Sequence, residues 1–209
     1  WTKFKPINFS EFLSSDEIRV EFWRRKFGID NEISDAKPNV GHNIIAKLVT
    51  EGKVKKIITQ NIDNLHQVSG VSSDKVIELH GNNTYAKCLS CNERYEIEDI
   101  KREFFQTNNA PECRLCGGII KTATISFGQA MPEKEMIEAQ KATLECDLFI
   151  AIGSSLQVYP AAGFPLLAKR NGSNLIILNR EPTDLDGYAD LTLNYEIGNF
   201  FDEVFSIIN

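Results

Sequence analysis

The chain has 209 residues, 42% of them hydrophobic and 25% charged, with a formal net charge of -6. That length supports one good core, or a large domain carrying a small one. The acidic balance argues against non-specific binding to nucleic acid or to an anionic membrane, since both favour a basic face, and no apolar run approaches the roughly 20 residues that span a bilayer.

No solenoid repeat, low-complexity tract or signal peptide is visible, so the expectation is a soluble, cytoplasmic protein, monomeric and without direct nucleic-acid or membrane partners. Of five cysteines, four fall in two tight pairs, which fits a reducing compartment in which thiolates hold metal better than it fits a disulfide framework. The fifth, Cys146, precedes the apolar run Leu148-Phe149-Ile150-Ala151-Ile152 and reads as a buried small hydrophobe. The chain begins with Trp1 and not methionine, so a processed or truncated start, or a preceding segment, is expected.

Residues 39–51 have a helical stripe of Val40, Ile44, Ile45, Leu48 and Val49, with a proline before it and Gly52 closing it. Residues 54–59 read as a short buried strand, 61–68 as a turn running into a helix that ends near Gly70, and 75–79 as a second strand. From 86 to 121 the alternation breaks into a polar, Cys-rich stretch with Pro111, Gly117 and Gly118, read as a small inserted module. Alternation resumes with an apolar run ending in Phe127-Gly128, a helix at 133–144, a strand at 147–152 and the turn Gly153-Ser154-Ser155. A helix at 161–169, strands at 175–178 and 191–193, and an amphipathic helix at 199–208 follow. Repeated strand, crossover and strand units predict an α/β fold with a doubly wound, mainly parallel, Rossmann-like sheet. Ligands bind such sheets at the carboxyl ends of their strands. The polar strand ends after Thr59, Leu79, Ile152 and Leu178 would converge there.

Cys88/Cys91 and Cys113/Cys116 are two Cys-x-x-Cys pairs, and each such turn delivers two soft thiolates at the spacing a tetrahedral zinc ion requires. Four protein ligands leave no open coordination position, so the metal would hold shape and perform no chemistry. His80 stands between a strand end and Gly81, where a ligand can approach closely, and an imidazole there could accept a proton from a ribose hydroxyl. His42, at a helix start, and His66, on a short helix, are weaker candidates: the first could simply bond to neighbouring backbone, and the second has a solvated or packed role as its default. Asn61 and Asp63 alternate with Ile62 and could point together into the crevice, or could form an Asx turn capping the next helix. Gly153, Ser154 and Ser155 could bind phosphate through backbone amides at a helix start, or be a plain strand-to-helix turn. No G-x-G-x-x-G fingerprint is present, so an ordinary hydride-transferring Rossmann enzyme is not supported.

Thr59-Gln60-Asn61-Ile62-Asp63, Glu78-Leu79-His80-Gly81-Asn82 and the two cysteine pairs, in that order, resemble the sirtuin family of NAD-dependent protein lysine deacylases. The likeness runs from Pro38-Asn39 and His42 to Asp190-Leu191. It implies residues 1–85 and 122–209 as a Rossmann-like NAD-binding domain and 86–121 as a small zinc ribbon. By the same likeness His80 is the catalytic base, and Gln60, Asn61 and Asp63 contact the nicotinamide and its ribose, with Asn61 and Asp63 counted among the catalytic residues. Gly153, Ser154 and Ser155 form the phosphate turn, Asn179 and Glu181 hold the adenosine ribose, and the four paired cysteines bind zinc. Ile125, Phe127, Gly128, Gln129 and Val158 match segments that grip an acyl-lysine protein or peptide as an added strand. The reaction implied is attack of the acyl oxygen on the nicotinamide ribose as nicotinamide leaves. His80 then activates a ribose hydroxyl, and water completes the release of lysine and O-acyl-ADP-ribose. Mono-ADP-ribosyl transfer, and a zinc-stabilised peptide-binding fragment without turnover, are the alternatives.

Three departures from the family pattern stand out. Its first strand, its Gly-Ala-Gly-Ile-Ser loop and the Phe-Arg-Gly segment would precede Trp1, so the 209 residues are expected to bind NAD poorly by themselves. Gln129 replaces a glutamate, which removes a charge that could favour basic peptides. Lys121-Thr122 replaces Arg-Pro before the substrate segment, a change expected to alter a turn and not the chemistry.

Overall fold

The computed structural model describes residues 5–33 and 36–208, with side chains described for 5–28 and 36–204. Trp1, on which the expectation of a preceding segment turns, lies outside the described residues. In chain order the elements are α1 (Phe9–Ser14), α2 (Asp16–Ile33), α3 (Val40–Thr50), β1 (Ile57–Thr59), α4 (Leu65–Val68), β2 (Val76–Glu78), β3 (Gly81–Cys88) and β4 (Arg94–Glu96). Then follow α5 (Ile97–Thr107), β5 (Ile120–Thr124), α6 (Glu133–Glu145), β6 (Leu148–Ile152), α7 (Phe164–Arg170), β7 (Asn174–Leu178), β8 (Leu191–Leu193) and α8 (Ile197–Ile208). Two compact units are built from these, one from residues 1–37, 59–64 and 80–132 and the other from 38–58, 65–79 and 133–209.

In the first unit the Cys-rich stretch does not carry its own core. Its three-stranded antiparallel sheet has β3 between β4 and β5, and the cluster behind it contains Trp23 and Phe27 of α2 together with Ala86, Cys88, Ile97, Ile100, Phe104, Cys113 and Ile120. The aromatic rings continue as a chain, with Phe22–Trp23 centroids 5.6 Å, Trp23–Phe27 5.5 Å and Phe27–Phe104 5.5 Å apart. Each such ring, fully buried, stabilises by about 1.5–3 kcal/mol, which a ribbon of this size could not assemble alone. Neither α1 nor α2 was expected from the sequence. Their signals are a capping box, in which Asn8 caps the Glu11 N–H and Glu11 accepts from the Asn8 N–H, and the helical spacing of Val20, Trp23 and Phe27 diluted among charges. Helix α5, inside the expected ribbon, is amphipathic through Ile97, Ile100 and Phe104 and ends on Asn108 in the left-handed region.

In the second unit β6, β7 and β8 form a parallel sheet, with Ile150 opposite Ile176 and Ile176 opposite Leu191. Central β7 is buried on both faces, as expected of a doubly wound sheet. Leu175 and Ile177 pack with Ala151, Leu156, Ala162 and Leu185, whereas Leu178, Ile152 and Leu193 pack with Ile44 of α3 and Phe201 of α8. The alternating side chains of one strand therefore meet different layers, and the Rossmann-like α/β expectation holds. By hydrogen bonding the strands fall into a separate β1–β2 pair and the β6–β7–β8 set. No helix among the described residues is long and apolar enough to cross a membrane.

Candidate functional site

In the first unit the segment after β1 and the start of β3 are joined by hydrogen bonds that leave little freedom. His80 Nδ1 lies 3.1 Å from the Gln60 carbonyl oxygen. A carbonyl can only accept, so Nδ1 carries the proton and Nε2 of the neutral ring is left with its lone pair. The Asn61 N–H donates to Thr59 Oγ1 at 3.0 Å, the Asn83 N–H to the Ile62 carbonyl at 2.8 Å, and Asn82 Nδ2 to Asn64 Oδ1 at 3.1 Å. The residue capping the turn is therefore Thr59, and the Asn61 side chain, exposed, makes no hydrogen bond among the described residues. Asn64 sits at φ 64°, the left-handed conformation that asparagine tolerates. Asp63 is half-buried beside it.

His80 also connects to the expected peptide segment, since the Ile125 N–H donates to its carbonyl at 2.9 Å. Beyond Ile125 a tight turn is closed twice, by the Ser126 N–H to Gln129 Oε1 at 3.1 Å and by the Gln129 N–H to the Ser126 carbonyl at 3.0 Å. Gly128, at φ 79°, allows it. The Phe127 ring is exposed, and its carbonyl is held by the Phe9 N–H of α1 at 2.9 Å. Thus Gln60, Asn61, Asp63, His80, Ile125, Phe127, Gly128 and Gln129 share one unit.

In the second unit the Gly153 N–H donates to the Leu178 carbonyl at 2.9 Å, which sets the Gly153-Ser154-Ser155 turn beside the end of β7. Asn179 Nδ2 donates to the Glu181 carbonyl at 2.7 Å and leaves Oδ1 for another donor, while the Glu181 carboxylate pairs with Arg180 at 3.2 Å. The helix start expected at this turn is not there. Ser154 caps the Leu156 N–H at 3.2 Å, and residues 154–160 precede a 3-10 turn at Ala161–Gly163 and then the seven residues of α7. Any phosphate bound here would meet turn amides and not a helix end. Val158 is half exposed. His42 closes the capping box of α3, where the Asn39 N–H reaches its Nδ1 at 3.4 Å, and its ring centroid lies 5.0 Å from that of His66. His42 thus has the local bonding open to it from sequence, and His66, partly buried against its ring, has the packed role.

The four paired cysteines come together with all sulfurs within 4.8 Å of one another. Cys88–Cys116 and Cys91–Cys113 are each 3.5 Å apart, near the about 3.8 Å edge of a tetrahedron with Zn–S of about 2.3 Å. The Tyr95 hydroxyl donates to Cys113 Sγ at 3.2 Å and lowers that thiol to about 6. The Gly118 N–H lowers Cys116, but the bonds from Cys88, Cys91 and Cys113 outweigh it and push it up to about 12. Four sulfurs at this spacing, one of them backed by the Tyr95 hydroxyl, fit a structural zinc ion, with no open position for chemistry. Cys146 is half-buried and donates to the Thr143 carbonyl at 3.2 Å.

Together these features define a class: a Rossmann-like α/β protein with a thiolate metal clip in the same unit as an oriented histidine. Comparison with known proteins narrows it. A sequence model described as the Sir2 family matches residues 1–160. An NAD-dependent protein deacetylase 1 of Bradyrhizobium diazoefficiens is 54% identical, over 95% of this chain and 78% of its own length. An NAD-dependent protein deacetylase of Thermodesulfovibrio yellowstonii is 40% identical, over 100% and 80%. Among solved structures, Sir2Tm bound to a propionylated peptide superposes with a TM-score of 0.88 at 35% identity, covering 96% of this chain and 82% of that one. A Sir2, p53 peptide and NAD+ complex gives 0.87 at 35%, over 96% and 81%. The chain belongs to the Sir2 family.

Proposed function

We propose that this chain removes acetyl, or a related acyl group, from protein lysine in a reaction that consumes NAD and yields nicotinamide and O-acyl-ADP-ribose. The observation that carries this reading is the His80 ring, protonated on Nδ1 by its bond to Gln60 and therefore presenting Nε2 as a base, in a member of the Sir2 family. Relatives named as NAD-dependent protein deacetylases, and structures holding NAD+ or acylated peptides, support it.

Within this reading His80 takes the proton of a ribose hydroxyl. Asn61, whose amide is uncommitted, and Asp63 orient the nicotinamide and its ribose together with Gln60. Gly153, Ser154 and Ser155 receive the phosphates, and Asn179 and Glu181 the adenosine ribose. Ile125, Phe127, Gly128, Gln129 and Val158 grip the acyl-lysine peptide. Cys88, Cys91, Cys113 and Cys116 hold zinc, around which residues 86–121 order as a module while 1–85 and 122–209 bind NAD. The overall change is a group transfer, with the acyl group moving from lysine to ADP-ribose. The four cysteines assigned to zinc form no disulfide, which supports a reducing compartment, and we assign the protein to the cytoplasm.

The test is mass spectrometry of an acetyl-lysine peptide incubated with the purified protein, with and without NAD. Deacetylated peptide and O-acetyl-ADP-ribose in equal amounts, only with NAD, are the expected products. ADP-ribosylated protein without peptide turnover would replace this reading by ADP-ribosyl transfer.

A further inference from the structure

Lys121 is buried to 1% exposure in the first unit, an unusual position for an ammonium group. Its Nζ donates to the Thr124 carbonyl at 2.6 Å and lies 5.7 Å from the centre of the Phe22 ring. Among the described residues no carboxylate pairs with it. Burial of an unpaired cation costs several kcal/mol in general, and it is retained here at a specific place in the β3–β5 ladder. The pairing is regular at Ala86–Thr122 and resumes at Gly81–Thr124, so a long irregularity of β3 faces a short stretch of β5. Such bulges re-aim side chains.

Polar side chains hold that irregularity in place. Asn82, 3% exposed, bonds forward to Thr84 and across to Asn64. Lys26 of α2 donates to the Asn83 carbonyl at 3.0 Å, and the Thr122 and Thr124 hydroxyls meet at 2.8 Å. Lys121 fixes the carbonyl of Thr124. The next amide, Ile125 N–H, is the one that bonds the His80 carbonyl.

We propose that Lys121 is a positioning residue whose ammonium, by holding the Thr124 carbonyl, sets the register of Ile125 against His80 and so places the base and the 125–129 peptide segment together. This rests on the deacylase reading for its effect on turnover, but not for its effect on structure. The π face of Phe22 supplies the second attraction that keeps the cation there.

The test compares Lys121→Met, which keeps the volume and removes the donor, with Lys121→Arg, which restores a cationic donor. Hydrogen exchange at the Ile125 amide and steady-state kinetics are read on both. Lys121→Met is expected to exchange Ile125 at least about tenfold faster. Its kcat/KM for an acetyl-lysine peptide should fall at least about tenfold through both kcat and the peptide KM, with the NAD KM changed less than about twofold. Lys121→Arg is expected within about threefold of the parent. Should the methionine variant not fold, Lys121→Gln, too short to reach Thr124, takes its place with the same readouts. Unchanged Ile125 exchange together with unchanged kcat/KM would overturn the proposal, as would equal losses in the arginine variant. If the parent itself lacks deacylase activity, the deacylase reading fails while the exchange measurement still decides the positioning claim.

Discussion

Gly81 and Ala123 approach so closely that a Cβ on Gly81 would lie 1.9 Å from the Ala123 carbonyl oxygen, and Gly81 has φ 73°. Both facts demand glycine beside His80. Gly81→Ala is expected to lower stability by at least about 3 kcal/mol, because a backbone clash adds to the left-handed strain. Thermal unfolding measures the loss, and a melting temperature within about 2 °C of the parent would contradict the packing described.

The thiolate set predicts one zinc ion per chain and a proton count on binding it. Cys113, at about 6, is already largely a thiolate at pH 7, whereas Cys116, at about 12, must lose a proton to ligate. Calorimetric titration of zinc into the metal-free protein in buffers of different ionisation enthalpy should report proton release. Tyr95→Phe removes the hydroxyl that lowers Cys113, so more protons should be released and affinity at pH 7 should fall by about 3- to 30-fold. Unchanged proton release in that variant would show that Tyr95 does not act on Cys113.

Removal of the metal should reach beyond the ribbon. Cys88 and Cys113 belong to the same core as Trp23 and Phe27, so a chelator should loosen α2 as well as residues 86–121. Hydrogen exchange of α2 that ignores zinc removal would contradict a shared core.

Lys121 gives a stability signature of its own. Burial lowers it from 10.5 to about 8, so between those values the unfolded chain binds a proton that the folded chain has released. Stability therefore rises with pH across that window, by an amount of the order of 3 kcal/mol. Denaturant unfolding from pH 7.5 to 10.5 should show that rise in the parent and not in Lys121→Met. A parent with stability flat across the window would remove the basis for a desolvated ammonium.

Gln129→Glu should keep the turn, since a carboxylate oxygen accepts the Ser126 N–H as the amide oxygen does. The added charge should raise kcat/KM on peptides with basic flanks by about 2- to 10-fold at low ionic strength and lose most of that gain in high salt. Equal rates on basic and acidic peptides at low salt would leave residue 129 without a role in charge preference.

Much of the second unit could be read from sequence, because buried parallel strands such as 175–178 are apolar runs and their crossovers carry helical stripes. The first unit was harder. Strand β3 begins with Gly81, Asn82 and Asn83 and has no clean alternation, so only its pairing with β4 and β5 makes it a strand. Helix α2 dilutes Trp23 and Phe27 among charges, and its partner is a core that lies far along the chain. The cysteine spacing and the His80-Gly81 pair were legible as chemistry because their geometry is local. Thr59 as the cap of the Asn61 turn was not, and neither was Lys121, since a lysine is read as surface unless the carbonyl it serves is known.

In the proposed reaction His80 acts as the base while other residues bind NAD. Single-turnover deacetylation by His80→Ala, with NAD affinity measured on the same sample, tests it most directly. The rate is expected to fall by about 10²- to 10⁴-fold with NAD affinity within a few-fold of the parent. Deacetylation retained at the parent rate in a clean His80→Ala protein would contradict it.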